Sequence, residues 1–106
     1  MSARVRFEAE ADAEYRSAGR WYEEQRPGLG TEFLDAVDAA IDFAIGFPRA
    51  GTPVPGVPVG LGVRTVPVRR FPYRVVYLLT ESSVRILAVA HDRRRPGYWT
   101  DRLRKP

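Results

Sequence analysis

The segment His91-Asp92-Arg93-Arg94-Arg95, followed by Tyr98-Trp99, gathers an imidazole, three guanidinium groups and two aromatic rings into a short stretch of chain. An imidazole exchanges protons near neutral pH, and a guanidinium fork holds two phosphate or carboxylate oxygens at once. Cleavage of RNA by its own 2′-hydroxyl needs such parts: one group to take a proton, one to deliver another, and positive charge where the phosphate oxygens gain negative charge. In that reading His91 moves protons, Arg74 and one of Arg93, Arg94 and Arg95 hold the phosphate, and Tyr98 stacks a base or donates a proton. The bland reading is a hydrogen-bonded structural histidine beside a solvated surface that docks an acidic protein segment. Trp99 then either joins that surface or caps the core, and Arg64 adds a further cation on an earlier strand.

Whether Arg74 and His91 can act together depends on a hairpin. Tyr73 to Thr80 and Val84 to Ala90 read as strands, and the short polar Glu81-Ser82-Ser83 between them predicts an antiparallel pair. Closure over two residues puts Arg74 and His91 on one face; closure over three puts them on opposite faces, because side chains alternate along a strand. The sequence leaves both registers open.

Charge is unevenly placed. Residues 1–60 hold six arginines and ten acids, a net of −4, while residues 61–106 hold eleven basic residues and three acids, a net of +8, within a total of +4. A local positive field raises encounter with anionic partners, nucleic acid or acidic protein, and says nothing about fold. No cysteine is present, and the single histidine precludes a multi-histidine metal centre, so no metal or cofactor is expected. No glycine-rich phosphate cradle occurs either. The apolar runs fall far short of the roughly 20 residues of a membrane span, and no signal-peptide pattern opens the chain, so a cytoplasmic protein with no membrane partner is expected.

The elements that position these residues fit one domain of 106 residues. Arg4-Val5-Arg6-Phe7 alternates like a short strand. From Ala9 to about Gln25 the apolar spacing turns helical, with Gly19 as a weak point, until Arg26-Pro27-Gly28-Leu29-Gly30 breaks it. A second helix starts between Leu29 and Thr31 and ends before Pro48, with Leu29, Phe33, Val37, Ile41 and Ala44 to Ile45 on one stripe and Glu32, Asp35, Asp38 and Asp42 opposite. The two helices form an antiparallel hairpin, inside which Trp21 and Tyr22 either pack or stand out as an aromatic ledge for a partner. Residues 48–62 carry too many prolines and glycines for regular structure. A strand from Val63 to Val68 follows, and Pro67 marks it as an edge or bulge. Residues 96–106 read as a brief helical turn or a mobile tail.

Three groups of residues, in this order, resemble the RelE/ParE superfamily of type II toxin-antitoxin toxins, often labelled plasmid stabilisation proteins. They are Trp21-Tyr22-Glu23-Glu24-Gln25-Arg26-Pro27-Gly28-Leu29-Gly30 with Phe33; Arg70-Phe71-Pro72-Tyr73 with Tyr77; and Ala90-His91 with Arg94, Pro96 and Trp99. The resemblance implies an α+β fold, an N-terminal strand and helical hairpin packed on a small antiparallel sheet, and a cognate antitoxin that wraps and neutralises the toxin. It implies one of two activities. RelE-like members cut messenger RNA in the ribosome without a metal; Arg74 matches the strand arginine of these nucleases, and His91, Arg94 and Tyr98 fall near their C-terminal functional cluster, so these four are the catalytic candidates on that reading. ParE-like members bind and poison DNA gyrase and perform no known chemistry; from the residues themselves, Arg64, Arg93, Arg95, Trp99, Trp21 and Tyr22 are the expected partner contacts. The acidic helices and the lone lysine, Lys105, depart from the nuclease pattern, and an acidic half repels ribosomal RNA. The sequence therefore sits closer to the ParE branch.

Overall fold

A computed structural model describes residues 4–104. In chain order the elements are β1 (Arg4–Phe7), α1 (Ala9–Gln25), α2 (Leu29–Gly46), β2 (Thr52–Pro53), a 3₁₀ turn (Val59–Leu61), β3 (Val63–Pro67), β4 (Tyr73–Leu79), β5 (Ser83–His91) and a second 3₁₀ turn (Thr100–Arg104). The five strands lie in the order β1-β5-β4-β3-β2. Neighbours are antiparallel except β1, which runs parallel to β5, so the sheet is mixed. Residues 48–62 are more ordered than their composition suggests, holding both β2 and the first 3₁₀ turn.

The helical hairpin owes its geometry to residues that do little for either helix alone. Gly28 adopts φ 89° at the start of α2, a left-handed backbone that costs glycine nothing. From the last turn of α1, Glu23 then accepts the free N–H groups of Gly28 at 3.0 Å and Gly30 at 3.0 Å, capping α2 across the break. A Cβ on Gly30 would lie 2.5 Å from the Gly19 carbonyl oxygen, so the helices cross backbone to backbone. Gly19 is thus a packing residue as well as a weak helix former.

On the sheet face beneath the helices, Phe33, Val37, Ile41 and Ala44 of α2 meet Val75, Tyr77, Ile86 and Val89 in one buried cluster. The Phe33 ring is fully buried, with Tyr22 stacked on it at 5.1 Å and Phe71 and Tyr73 edge-on at 5.2 and 4.9 Å. Burying such a side chain stabilises the fold by about 2–3 kcal/mol. The other sheet face carries a smaller cluster, Val63, Val76, Leu87, Ala88 and Trp99, roofed by Val54, Val57 and Leu103.

The β4–β5 hairpin combines the two expected registers. Its turn closes over Glu81 and Ser82, with Thr80 N–H donating to the Ser83 carbonyl at 2.9 Å. That alone would pair Arg74 with Val89 and put His91 on the same face as Arg74. Beyond Tyr77↔Ile86, however, pairing resumes at Val76↔Ala88, so Leu87 is an extra residue in β5. This bulge shifts the rest by one, giving Arg74↔Ala90 and Tyr73↔His91. Arg74 and His91 therefore project from opposite faces.

Candidate functional site

The site is held by residues far from it in sequence. β1 follows β5 only as far as Phe7↔Ile86, after which the chain turns into α1 and leaves the next edge of β5 without a strand. Two side chains take the strand's place. Glu14 of α1 accepts the Val89 N–H at 3.0 Å, and Arg102 of the last 3₁₀ turn donates to the Leu87 carbonyl at 2.9 Å. These two side chains meet in a forked ion pair, 2.9 Å to Glu14 Oε1 and 3.0 Å to Oε2, and the Tyr98 hydroxyl donates to Oε2 at 2.7 Å. The carboxylate thus receives four hydrogen bonds from three segments, which is what a largely buried charge requires. A second ion pair, Arg85 to Glu8 at 2.9 Å, braces the same turn, since Arg85 also donates to the Arg102 carbonyl at 2.9 Å.

These contacts fix protonation. Burial first, then the hydrogen bond and charge of Glu14, push the Tyr98 phenol far above its ordinary range. Burial alone would lower Arg102; the hydrogen bond and charge of Glu14 outweigh it and raise the guanidinium instead.

Between His91 and Tyr98 lies the arginine triplet, exposed throughout. Arg94 N–H donates to the His91 carbonyl at 3.0 Å and Tyr98 N–H to the Arg95 carbonyl at 3.2 Å, while Gly97 at φ 80° turns the chain back toward the body. The Arg94 guanidinium lies 3.9 Å from the centroid of the Tyr98 ring. Those of Arg93 and Arg95 have no hydrogen bond or ion pair among the described residues. The His91 ring meets Tyr73 edge-on at 5.0 Å, and its Nδ1 accepts the Arg93 N–H at 3.0 Å, so the neutral imidazole carries its proton on Nε2.

Two hollows flank this segment. A groove of about 710 Å³ on the helix side runs past Ala13, Ala18, Trp21, Tyr22 and Tyr73 to His91 and Arg94. A cleft of about 560 Å³ on the outer side is lined by Thr65, Arg74, Ala90, His91, Arg94 and Arg95, among others. Arg94, Tyr98 and His91 border both hollows and form the wall between them. Arg74 borders only the outer cleft, with its Nε donating to Thr65 Oγ1 at 3.1 Å.

Several sequence expectations are revised here. Trp99 is only 4% exposed and packs as core, so it is no partner-facing side chain in this structure. The Tyr98 hydroxyl is engaged with Glu14, and its ring with Arg94, so it is not free to donate a proton or stack a base. Arg64 folds back onto the Gly51 and Arg49 carbonyls at 2.7 and 3.3 Å, where it pins the loop before β2. The two readings of the hairpin aromatics divide: Tyr22 packs, while Trp21 is 55% exposed. The structure adds Glu14 and Arg102, 88 residues apart. One signal was available, since Glu14 lies at helical spacing between the buried Ala11 and Ala18, where an acid requires a buried partner.

No group of three or more metal-binding side chains occurs among the described residues, and none of their helices is long and apolar enough to cross a membrane. A family profile for the "ParE toxin of type II toxin-antitoxin system, parDE" matches residues 5–96. No curated protein matches. Among solved structures, one described as "Chromosomal ParDE TA system from P. aeruginosa" is similar with a TM-score of 0.69 and 17% identity, covering 85% of this chain and 96% of that one. At that identity the likeness shows the fold.

Proposed function

Because this chain belongs to the ParE toxin family of type II toxin-antitoxin systems, matched over residues 5–96, we propose that it acts by binding and poisoning DNA gyrase and that a cognate antitoxin neutralises it. The observation that carries the choice of a binder over a nuclease is the Leu87 bulge. It turns Arg74 and His91 to opposite strand faces, so although both border the outer cleft, the phosphate-holding cation and the proton carrier do not share the face on which RNA cleavage would use them together. Tyr98 supports the same reading, because a phenol held by Glu14 and raised far above its usual range does not exchange protons near neutral pH. What remains outward is charge without an acid-base pair: Arg93 and Arg95, with Arg94 beside them. Such a surface suits docking to an acidic face of a large protein.

The antitoxin reading rests on the helix-side groove. Its walls are apolar and aromatic for most of their length and cationic at one end. An acidic, partly disordered tail that folds on binding buries its apolar side chains there and pairs its carboxylates with Arg94.

Purified components test the proposal. The chain is expected to inhibit gyrase supercoiling or to trap cleaved DNA on the enzyme, and added antitoxin to restore turnover. Unaffected gyrase together with transcripts cut on translating ribosomes, and cutting lost in His91→Ala and Arg74→Ala, would replace this reading with a metal-independent mRNA endonuclease of RelE type.

A further inference from the structure

We propose that Glu14 is the positioning residue of the basic site: by clasping Tyr98 and Arg102 to α1 it fixes the Arg93–Arg95 triplet in the orientation that meets the target. The inference rests on the reading of that triplet as a target contact, and it extends to residues 98–102, which lie beyond the span matched by the family profile.

The triplet is a short connection anchored at both ends. Its first anchor is the end of β5, where His91 pairs with Tyr73 and Asp92 N–H reaches the Pro72 carbonyl at 2.8 Å. Its second is Tyr98, whose N–H donates to the Arg95 carbonyl at 3.2 Å but which the triplet itself ties to no other element of the fold. That task falls to Glu14, which takes the Tyr98 hydroxyl at 2.7 Å and the Arg102 fork at 2.9 and 3.0 Å. Arg94 then rests on the Tyr98 ring at 3.9 Å, so the path from Glu14 to the triplet is continuous: carboxylate, phenol, guanidinium.

Preorganisation gives this path its consequence. Arginine side chains on a free loop lose backbone and rotamer freedom when they bind, whereas a loop held at both ends has already lost much of it. With the clasp open, the buried Trp99 would still tether the segment, yet the triplet would sample many orientations. The surface charge would be unchanged. Affinity would fall through disorder alone.

The test uses the full chain in two measurements. Trypsin cuts within the triplet, after Arg93 and Arg94, and elsewhere after Arg69 and Arg70; mass spectrometry follows each site separately. Glu14→Ala and Arg102→Ala are each expected to speed cleavage within the triplet about tenfold while leaving the Arg69 and Arg70 sites at the wild-type rate. Glu14→Gln, which keeps the side-chain length, is expected to do the same to a smaller degree. In the second measurement, the concentration giving half-inhibition of gyrase is expected to rise about tenfold per folded molecule in both alanine variants. Val37→Ala, a destabilised core control, is expected to stay at the wild-type value.

Wild-type cleavage rates in both clasp variants would overturn the proposal, as would a loss of inhibition no greater than that of Val37→Ala. Should the wild-type chain leave gyrase untouched, the gyrase reading fails, while the proteolysis still decides whether Glu14 holds the triplet in place.

Discussion

The two faces of one sheet are covered by different means. Beneath α1 and α2 the cover is thick and apolar: Phe33, Val37 and Ile41 press on Val75, Ile86 and Val89, and the rings of Tyr22, Phe71 and Tyr73 interlock around Phe33. On the outer face the cover is a loop and one 3₁₀ turn against a smaller cluster of five buried residues. There two ion pairs, Glu8–Arg85 and Glu14–Arg102, add what hydrophobic area does not. The helix side therefore carries most of the apolar packing, and the thin side borders the exposed Arg93–Arg95 triplet. A surface that must present charge cannot also be a broad apolar interface, and the polar clasp lets a thin layer stay ordered.

Mutations can break or sharpen that contrast. The largest stability loss is expected on the helix side, where Phe33→Ala removes the ring at the centre of the aromatic cluster and should cost about 3–5 kcal/mol in denaturant unfolding. An effect below about 1 kcal/mol would mean that the helical cover is not the main source of stability. Next, Arg102→Ala leaves the Glu14 carboxylate largely buried without its cation, and about 3 kcal/mol should be lost. If that variant melts like the wild type, the clasp is ornamental and the two faces differ less than described. Gly30→Ala drives a methyl group into the Gly19 carbonyl and should cost about 1–3 kcal/mol, read from the same unfolding curves.

A smaller effect follows from pH. Burial, then the hydrogen bond and charge of Asp38, raise Tyr15 from 10.0 to about 12. A folded-state value above the unfolded one favours the neutral phenol in the native state, so its contribution is intact below pH 10 and is lost as pH rises through about 12. Stability measured across that window should fall, and Tyr15→Phe should flatten the decline. Tyr98 acts in the same direction, because its value is also raised. A profile that rises with pH over this range would contradict both assignments. The smallest stability effect belongs to the triplet: replacing Arg93 and Arg95 with alanine should leave the unfolding midpoint in place, since neither guanidinium has an intramolecular partner among the described residues.

The contrast also explains what the sequence made legible. Helical spacing is local, and it located α1, α2 and the buried stripe of Phe33, Val37 and Ile41 with little error. The break at Pro27-Gly28 was equally plain. The polar turn at Glu81 and Ser82 located the hairpin, but its register depended on Leu87, inside the unbroken apolar run Ile86-Leu87-Ala88-Val89. Such a run has no alternation, so it carries no phase from which a bulge can be read. The Glu14–Arg102 pair and the parallel pairing of β1 with β5 are contacts between the two ends of the chain, on which local periodicity has no bearing. The candidate site was thus proposed from composition, with its geometry left open between two registers. Its exposed arginines were named, while Glu14, which pairs with Arg102 and Tyr98 beside them, was visible only as a charge on an otherwise apolar stripe.

The proposed gyrase-binding function makes the arginine triplet a docking surface and gives His91 no chemical role. The most direct test is equilibrium binding of gyrase to the wild-type chain, to the Arg93→Ala, Arg95→Ala double variant and to His91→Ala. The account expects the double variant to bind at least about tenfold more weakly at unchanged stability, with His91→Ala close to wild type. Wild-type affinity in the double variant, or gyrase inhibition abolished by His91→Ala while binding persists, would contradict it.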